Sequence, residues 1–262
     1  MNTRPDAARL REIADQHWLA MYQPLVALVG GEWRRFGGVN GFRTPHIPAS
    51  FANGCLIVEP ATATDLGAAV RWVSEASVPF AVRVETVSAA EILDAAAQLG
   101  LVRSGWDFPG MILEPIPDMP APAHGVSSAR VDRDNYDDFM ATLTEQGFPA
   151  EIARSAFGES IVDIEGVALF VAYLDGRAAG TSVLVRTGDV SGIYTVGVAE
   201  WARRRGVGSA VTWLAVERAR EWGSWAVILQ STRMGFGVYR SMGFRTVVEY
   251  AFFAPPGVPI DG

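Results

Sequence analysis

Hydrophobic and polar positions change rhythm along the chain, and each rhythm predicts an element. From Arg9 to Leu28, Leu, Ile, Ala, Trp and Val recur among charges at helical spacing, giving one or two helices. The Gly-rich stretch from Gly30 to Gly41, followed by Pro45 and Pro48, reads as loop. Strand and helix then alternate. Gly54 to Val58 is short, apolar and β-branched, a strand, and Asp65 to Ser74 places Leu66, Ala69, Val70 and Val73 on one helical face. Phe80 to Val84 is a strand. Ser88 is a candidate N-cap, with Glu91 three residues on, for a helix to Leu99 that Gly100 ends. Gly110 to Glu114 is a further strand.

Pro115 to Ala123 then holds four prolines in nine residues. Prolines stiffen the chain and withhold ladder donors, so a domain boundary is expected there, dividing the chain into 1–122 and 123–262. Past it, Asp134 to Gln146 and Pro149 to Phe157 read as helices. Val167 to Tyr173 and Ala178 to Arg186 read as strands joined by a tight turn at Asp175-Gly176. Ser191 to Val198 is a strand, and Gly206 to Glu221 a helix with Val207, Val211, Leu214 and Ala215 on one face. Trp225 to Leu229 is a strand, Met234 to Ser241 a short helix and Phe244 to Phe253 a final strand. The two halves echo each other, with Leu99-Gly100-Leu101 standing where Met242-Gly243-Phe244 stands in the second. The fold class is α/β (α+β), in two lobes, each a mixed sheet flanked by helices.

Composition narrows the chemistry. The chain has 262 residues, 49% hydrophobic and 19% charged, a globular balance. All 22 basic residues are arginine, which excludes a phosphate-loop lysine, a Schiff base and a Ser-x-x-Lys nucleophile. Cys55 is the single cysteine, so no intrachain disulfide forms, and its apolar flanks mark it as a buried strand residue. His17, His46 and His124 are scattered without metal-ligand spacing, so no metal is expected. A formal charge of −7 and a basic cluster confined to Arg203-Arg204-Arg205 argue against a nucleic-acid footprint. No apolar run reaches bilayer length, and the N-terminus lacks the apolar core of a signal peptide, so a cytoplasmic location away from membranes is expected.

The sharpest feature is Arg203-Arg204-Arg205-Gly206-Val207-Gly208, between a strand and a helix. A helix start exposes unpaired N–H groups and positive partial charge; two glycines allow close approach, and guanidinium forks suit phosphate oxygens. The segment is built for a pyrophosphate or a similar anion. A phosphate-loop nucleotide site needs a lysine. A dinucleotide site needs a third glycine where Val211 stands, and an acidic residue closing the next strand, which 225–230 lacks. Coenzyme A remains.

Arg203-x-x-Gly206-x-Gly208 after an extended strand, with Tyr239 ahead of Met242-Gly243-Phe244-Arg245, resembles the GNAT superfamily of N-acyltransferases over roughly 131–253. The resemblance implies an acetyl-CoA-dependent enzyme that transfers the acyl group directly to a primary amine. It implies that Val196, Gly197 and Val198 offer backbone groups to the pantetheine arm and the thioester carbonyl. Arg203, Arg204, Arg205, Gly206, Val207, Gly208 and Ser209 would hold the pyrophosphate. Ser231 would bind the pantetheine or cap the following helix, and Tyr239 would protonate the departing thiolate. The base that takes the amine proton stays open among Tyr194, Glu249 and Asp189. The first half also resembles such a unit, but Glu59 to Thr64 has neither arginine nor glycine where the anion motif belongs, so it is expected to be a degenerate lobe that shapes the acceptor pocket. Two alternatives stand: a non-catalytic CoA-binding regulatory or interaction protein, and a tandem enzyme resembling mycothiol synthase in layout. The expected partner is a small-molecule or peptide amine, and the sequence leaves room for a homodimer.

Overall fold

The computed structural model describes residues 5–86 and 90–260; the expected N-cap Ser88 lies outside them. The chain begins α1 (Ala7–Leu28), β1 (Glu32–Phe36), β2 (Val39–Arg43), β3 (Gly54–Ile57), α2 (Ala63–Ser74), β4 (Ala81–Glu85), α3 (Ala90–Gln98), β5 (Val102–Arg103), β6 (Phe108–Leu113). After the proline segment come β7 (Val126–Arg130), α4 (Tyr136–Glu145), α5 (Ala150–Ala156), a 3-10 turn at Glu159–Asp163, β8 (Val167–Leu174), β9 (Arg177–Thr187) and β10 (Val190–Val198). A 3-10 turn at Glu200–Ala202 leads to α6 (Val207–Glu221), β11 (Ala226–Gln230), α7 (Phe236–Ser241) and β12 (Arg245–Ala254).

Two compact units result. One comprises Met1–Met111, Gln230–Phe236 and Thr246–Gly262; the other, Ile112–Leu229 and Gly237–Arg245. They are discontinuous, whereas the proline segment suggested contiguous halves. Each is a mixed sheet flanked by helices, as the alternating pattern predicts.

In the first unit, β1, β2, β3, β4 and β12 lie in that order. Only β3 and β4 run parallel; the other neighbours are antiparallel. The expected loop at Gly30–Gly41 is instead the β1–β2 hairpin, closed where Phe36 faces Val39 across Gly37-Gly38. A glycine pair serves a two-residue hairpin turn, and Gly37 uses a φ of 56° there. Trp33 and Phe42 then stack across the strands with centroids 5.7 Å apart. α2 lays Leu66, Ala69, Val70 and Val73 against Cys55, Val82, Val84 and Phe253. Cys55 is the buried residue its flanks implied, and burial pushes its thiol up to about 12.

In the second unit the order is β7, β8, β9, β10, β11, with only β10 and β11 parallel. The Asp-Gly turn forms as predicted, with φ of 51° at Asp175 and 82° at Gly176. Consecutive residues of β9 face opposite ways. Thr181 meets Gln146 at the end of α4, whereas the Ser182 hydroxyl donates to the Val211 carbonyl of α6 at 3.0 Å. α4 and α6 therefore cover opposite faces of this sheet. α6 comes close because Gly180 has no side chain; a Cβ there would stand 2.7 Å from Val207 Cγ1.

The units share a local plan. In each, a parallel strand pair is joined through a helix, β3–α2–β4 in the first and β10–α6–β11 in the second. Gly100 after α3 and Gly243 after α7 both take positive φ, 77° and 97°, which accounts for the sequence echo.

Candidate functional site

The site begins where β10 and β11 part. They pair in parallel only at Val190, Ser191 and Gly192, while β10 continues to Val198. The last part of β10 therefore has an open flank on the β11 side. Its pairing with β9 is also interrupted. Tyr194 faces Val183 and Gly197 faces Thr181, so Thr195 and Val196 together oppose Ser182, a bulge, with Thr195 at a φ of 51°.

Past the bulge the direction of each amide follows from parity. The Ala199 amide donates to the Ala179 carbonyl of β9 at 2.8 Å. In an antiparallel ladder successive residues point their polar groups to alternate sides, so Val198 turns its own away from β9. The Val198 carbonyl agrees with this, since it accepts from Arg203 Nε at 3.4 Å. The Val198 N–H thus faces the open flank.

Eight residues later α6 starts on an exposed turn. Its N-cap is Gly206, with φ 84° and no side-chain cap bond. The first bond of the helix runs from the Ala210 amide to the Gly206 carbonyl at 2.9 Å. Among the described residues nothing accepts from the amides of Val207, Gly208 or Ser209. Arg204 (59°) and Gly206 both take positive φ in this turn. Gly206 and Gly208 are both tightly placed: a Cβ on the first would lie 2.8 Å from Ala123 Cβ, and on the second 3.2 Å from Val198 Cγ2. Of the three exposed arginines, Arg205 pairs with Asp175 at 3.3 Å and Arg203 leans on Val198. Arg204 makes no ion pair among the described residues. The arrangement presents unpaired amides, a free guanidinium and the positive end of a 15-residue helix to an anion.

The other expected residues fall in different places. Tyr239 lies on α7, 7% exposed, edge-on to Phe244 at 5.9 Å. Burial alone holds its hydroxyl well above the ordinary tyrosine range, so it is protonated at any working pH. Tyr194 is half-buried on β10 immediately before the bulge. Asp189 is not brought there. It precedes β10 at the opposite end of the strand, and about 3.3 Å per residue separates it from the bulge by roughly 20 Å. Glu249 is exposed on β12, within the first compact unit, where its carbonyl accepts from the Thr86 amide at 3.0 Å. Ser231 also belongs to the first unit and is fully buried, its hydroxyl donating to the Thr232 carbonyl at 2.8 Å. The turn into α7 is capped by Thr232, whose hydroxyl accepts from the Gly235 amide, and not by Ser231.

Residues 133–244 match the model of the Acetyltransferase (GNAT) family. The chain carries a GNAT domain. Solved structures agree at the level of fold. A GCN5-related N-acetyltransferase from Kribbella flavida is 18% identical, with a TM-score of 0.70 over 94% of this chain and 96% of that one. Another from Sphaerobacter thermophilus is 19% identical, with a TM-score of 0.60 over 85% and 79%. A tandem GNAT protein from the clavulanic acid biosynthesis pathway is 15% identical, with a TM-score of 0.57 over 85% and 79%. No curated protein matches the chain.

Within the GNAT domain a cleft of about 560 Å³ opens between α4, α5 and the following 3-10 turn, lined by Asp137, Met140, Thr144, Arg154 and Glu159 among others. Among the described residues no cluster of metal-ligating side chains occurs, and no helix is long and apolar enough to cross a membrane. Sequence reasoning passed over Thr195, Thr181 and Gln146, which meet at the bulge. Only Gly197 hinted at them, as a strand glycine marks a close approach.

Proposed function

We propose that the GNAT domain transfers an acetyl group from acetyl-CoA to a primary amine. One observation carries this reading: the open flank and bulge of β10 lead directly into a helix start that has no cap of its own. The residues fit a CoA ester. The amides of Val207, Gly208 and Ser209, with Arg204, bind the diphosphate, and Arg203 and Arg205 add charge nearby. Val196 and Gly197 line the arm, and the Val198 N–H donates to the acyl oxygen, where a fixed donor lowers the barrier.

Bound acetyl-CoA supplies the acyl group as a thioester. The protein aligns a neutral amine with it, so that C–N bond formation and C–S bond cleavage need no covalent enzyme intermediate. Tyr239 holds the proton that the departing thiolate requires. Tyr194, beside the bulge, is the candidate to take the amine proton, directly or through water. Asp137 and Glu159 in the cleft beside α4 suit a cationic acceptor.

The first unit is read as no longer binding CoA. Its equivalent helix start is filled from within: the Thr62 hydroxyl accepts from the Asp65 amide while the Asp65 carboxylate accepts from the Thr62 amide. Its parallel strands β3 and β4 stay paired from Gly54 to Ile57, leaving no open flank there.

Thermal unfolding with and without acetyl-CoA tests the proposal. The ligand should raise the melting temperature of the wild type through selective binding to the native state, and Arg204→Ala should blunt the rise. No shift at saturating ligand would refute the assignment. Turnover on an amine panel then separates enzyme from binding module. Tyr239→Phe should lower kcat about 10²–10⁴-fold while leaving the thermal shift intact. A wild type that binds but acetylates nothing would favour the binding module.

A further inference from the structure

The bulge of β10 needs something to hold it. Thr195 is β-branched and sits at a φ of 51°, a conformation such residues avoid. It persists only where the surroundings enforce it. The enforcing contacts come from two side chains outside the anion site. The Thr181 hydroxyl, wholly buried on β9, lies 3.3 Å from the Thr195 carbonyl and 3.1 Å from the Gln146 side-chain amide. Gln146 ends α4, and its amide covers Gly197 so closely that a Cβ there would stand 2.0 Å from Oε1 and 3.1 Å from Nε2.

Proton arithmetic orients the cluster. Thr181 has one hydroxyl proton. With Gln146 Oε1 toward it, two oxygens compete for that proton while Gln146 Nε2 is buried without any acceptor. With the amide turned over, Nε2 donates to Thr181 Oγ, and Thr181 donates onward to the Thr195 carbonyl. Only an amide oxygen is then unserved, the less costly group to leave so. The end of α4 is itself pinned. Glu145 pairs with Arg177 at 2.7 Å and accepts from Trp201 Nε1 at 3.0 Å, and the Arg177 guanidinium lies 4.2 Å over the Trp201 ring.

We propose that Gln146 and Thr181 form a clamp that holds the β10 bulge in its ligand-binding shape. The relay runs from Gln146 Nε2 through the Thr181 hydroxyl to the Thr195 carbonyl. Turning that carbonyl toward β9 leaves the amides of Val196 and Val198 facing the open flank. Gln146 is a positioning residue: its amide nitrogen is sealed from solvent, so it acts on the acyl group only through the bulge. The inference rests on the proposed acetyl-CoA reading, and its test is kept separable from it.

The probe is acetyl-CoA carrying ¹³C at the thioester carbonyl, followed by isotope-edited infrared spectroscopy on the full chain, with binding monitored by thermal shift. Bound to the wild type, the carbonyl band should move to lower frequency than in free acetyl-CoA. Thr181→Val and Gln146→Leu should lose that displacement yet keep the thermal shift, because the diphosphate grip on α6 is untouched. Thr181→Ser should retain it. Adding Thr195→Gly to Thr181→Val should restore it in part, since glycine takes positive φ without strain. A side chain that merely stabilised the fold would move the melting temperature of the unliganded protein and leave the band displaced. A displacement that survives in both Thr181→Val and Gln146→Leu overturns the clamp while leaving the proposed function standing. Should Thr181→Val fail to fold, Gln146→Leu alone decides, at a half-buried position. No binding by the wild type overturns the proposed function and the clamp together.

Discussion

Asp15 offers a test in which sign and size both follow from the structure. It sits on α1, 5% exposed, and its Oδ1 accepts from the Tyr250 hydroxyl at 2.6 Å. Glu85, also buried, pairs with Tyr250 across β4 and β12. Burial raises the Asp15 carboxyl from 3.8 to about 7, with the Glu85 charge adding to the rise and the Tyr250 hydrogen bond opposing it. A group whose folded pKa exceeds its unfolded value stabilises fully below the unfolded pKa. That contribution is lost as pH climbs through the folded value, because the native state retains a proton that the unfolded chain has released. The window is pH 3.8 to about 7. A rise of about three units at 1.36 kcal/mol each makes the pH-linked loss about 4 kcal/mol. Asp15→Asn keeps an oxygen for Tyr250 and removes the titration. Urea unfolding followed by tryptophan fluorescence, with Trp18 4.5 Å from Tyr250, compares the two proteins between pH 4 and 8. The difference in stability should swing toward the variant as pH rises, by several kcal/mol, and flatten above pH 7. Parallel curves would show that Asp15 is ionised in the native protein, and the argument from burial would fail.

Three further outcomes are expected. Gly206→Ala places a Cβ at a φ of 84° and 2.8 Å from Ala123, so it should cost about 1–2 kcal/mol in chemical denaturation and weaken the acetyl-CoA thermal shift; an unchanged shift would show that the helix start does not hold the ligand. Because burial holds the Tyr239 hydroxyl above its ordinary 10.0, the pH–rate profile should lack an alkaline limb below that value; a limb that disappears in Tyr239→Phe would contradict this. Cys55, with no exposed surface and a thiol pushed up to about 12, should resist Ellman's reagent in the native protein and react once unfolded; rapid native reaction would disprove the burial.

What could be read from sequence was what is encoded locally. α6 announced itself through helical spacing after two glycines, and the Asp175-Gly176 turn through residues that tolerate left-handed backbone. β7 stayed hidden because Val-Ser-Ser-Ala-Arg buries only Val126, as an outermost strand does when one neighbour holds it. The β1–β2 hairpin hides in a glycine-rich stretch that resembles a loop, although Gly37-Gly38 is itself a hairpin signal. Thr62-x-x-Asp65 is a capping-box spacing with Asp in place of the usual Glu or Gln; a helix read from Asp65 leaves its cap, Thr62, outside. The pairing of β12 with β4 joins residues some 165 positions apart, such as Tyr250 and Glu85, and no local pattern encodes that choice. Because of it, Glu249 and Ser231 fell in the first compact unit. The bulge geometry was equally silent, since Thr195 has no local preference for positive φ; the constraint is tertiary.

The contrast between α2 and α6 shows where this architecture places its chemistry. A helix start with glycine at its N-cap gives up roughly a few tenths of a kcal/mol relative to one capped by Ser, Thr, Asp or Asn. α2 satisfies its own amides and even brings a carboxylate to its positive end, so an incoming phosphate would meet both a filled site and a like charge. α6 forgoes that, and β10 likewise forgoes ladder bonds to β11 beyond Gly192. Both unmet demands lie along one continuous stretch, from the Val198 amide to that of Ser209. Folding alone gives no reason to concentrate unpaired donors there, since further pairing of β10 with β11 past Gly192 would satisfy backbone groups that now stand open. On the proposed reading, a ligand that brings a carbonyl oxygen at one end and a diphosphate at the other would satisfy both, and the stability withheld from the free protein would become selectivity for that ligand.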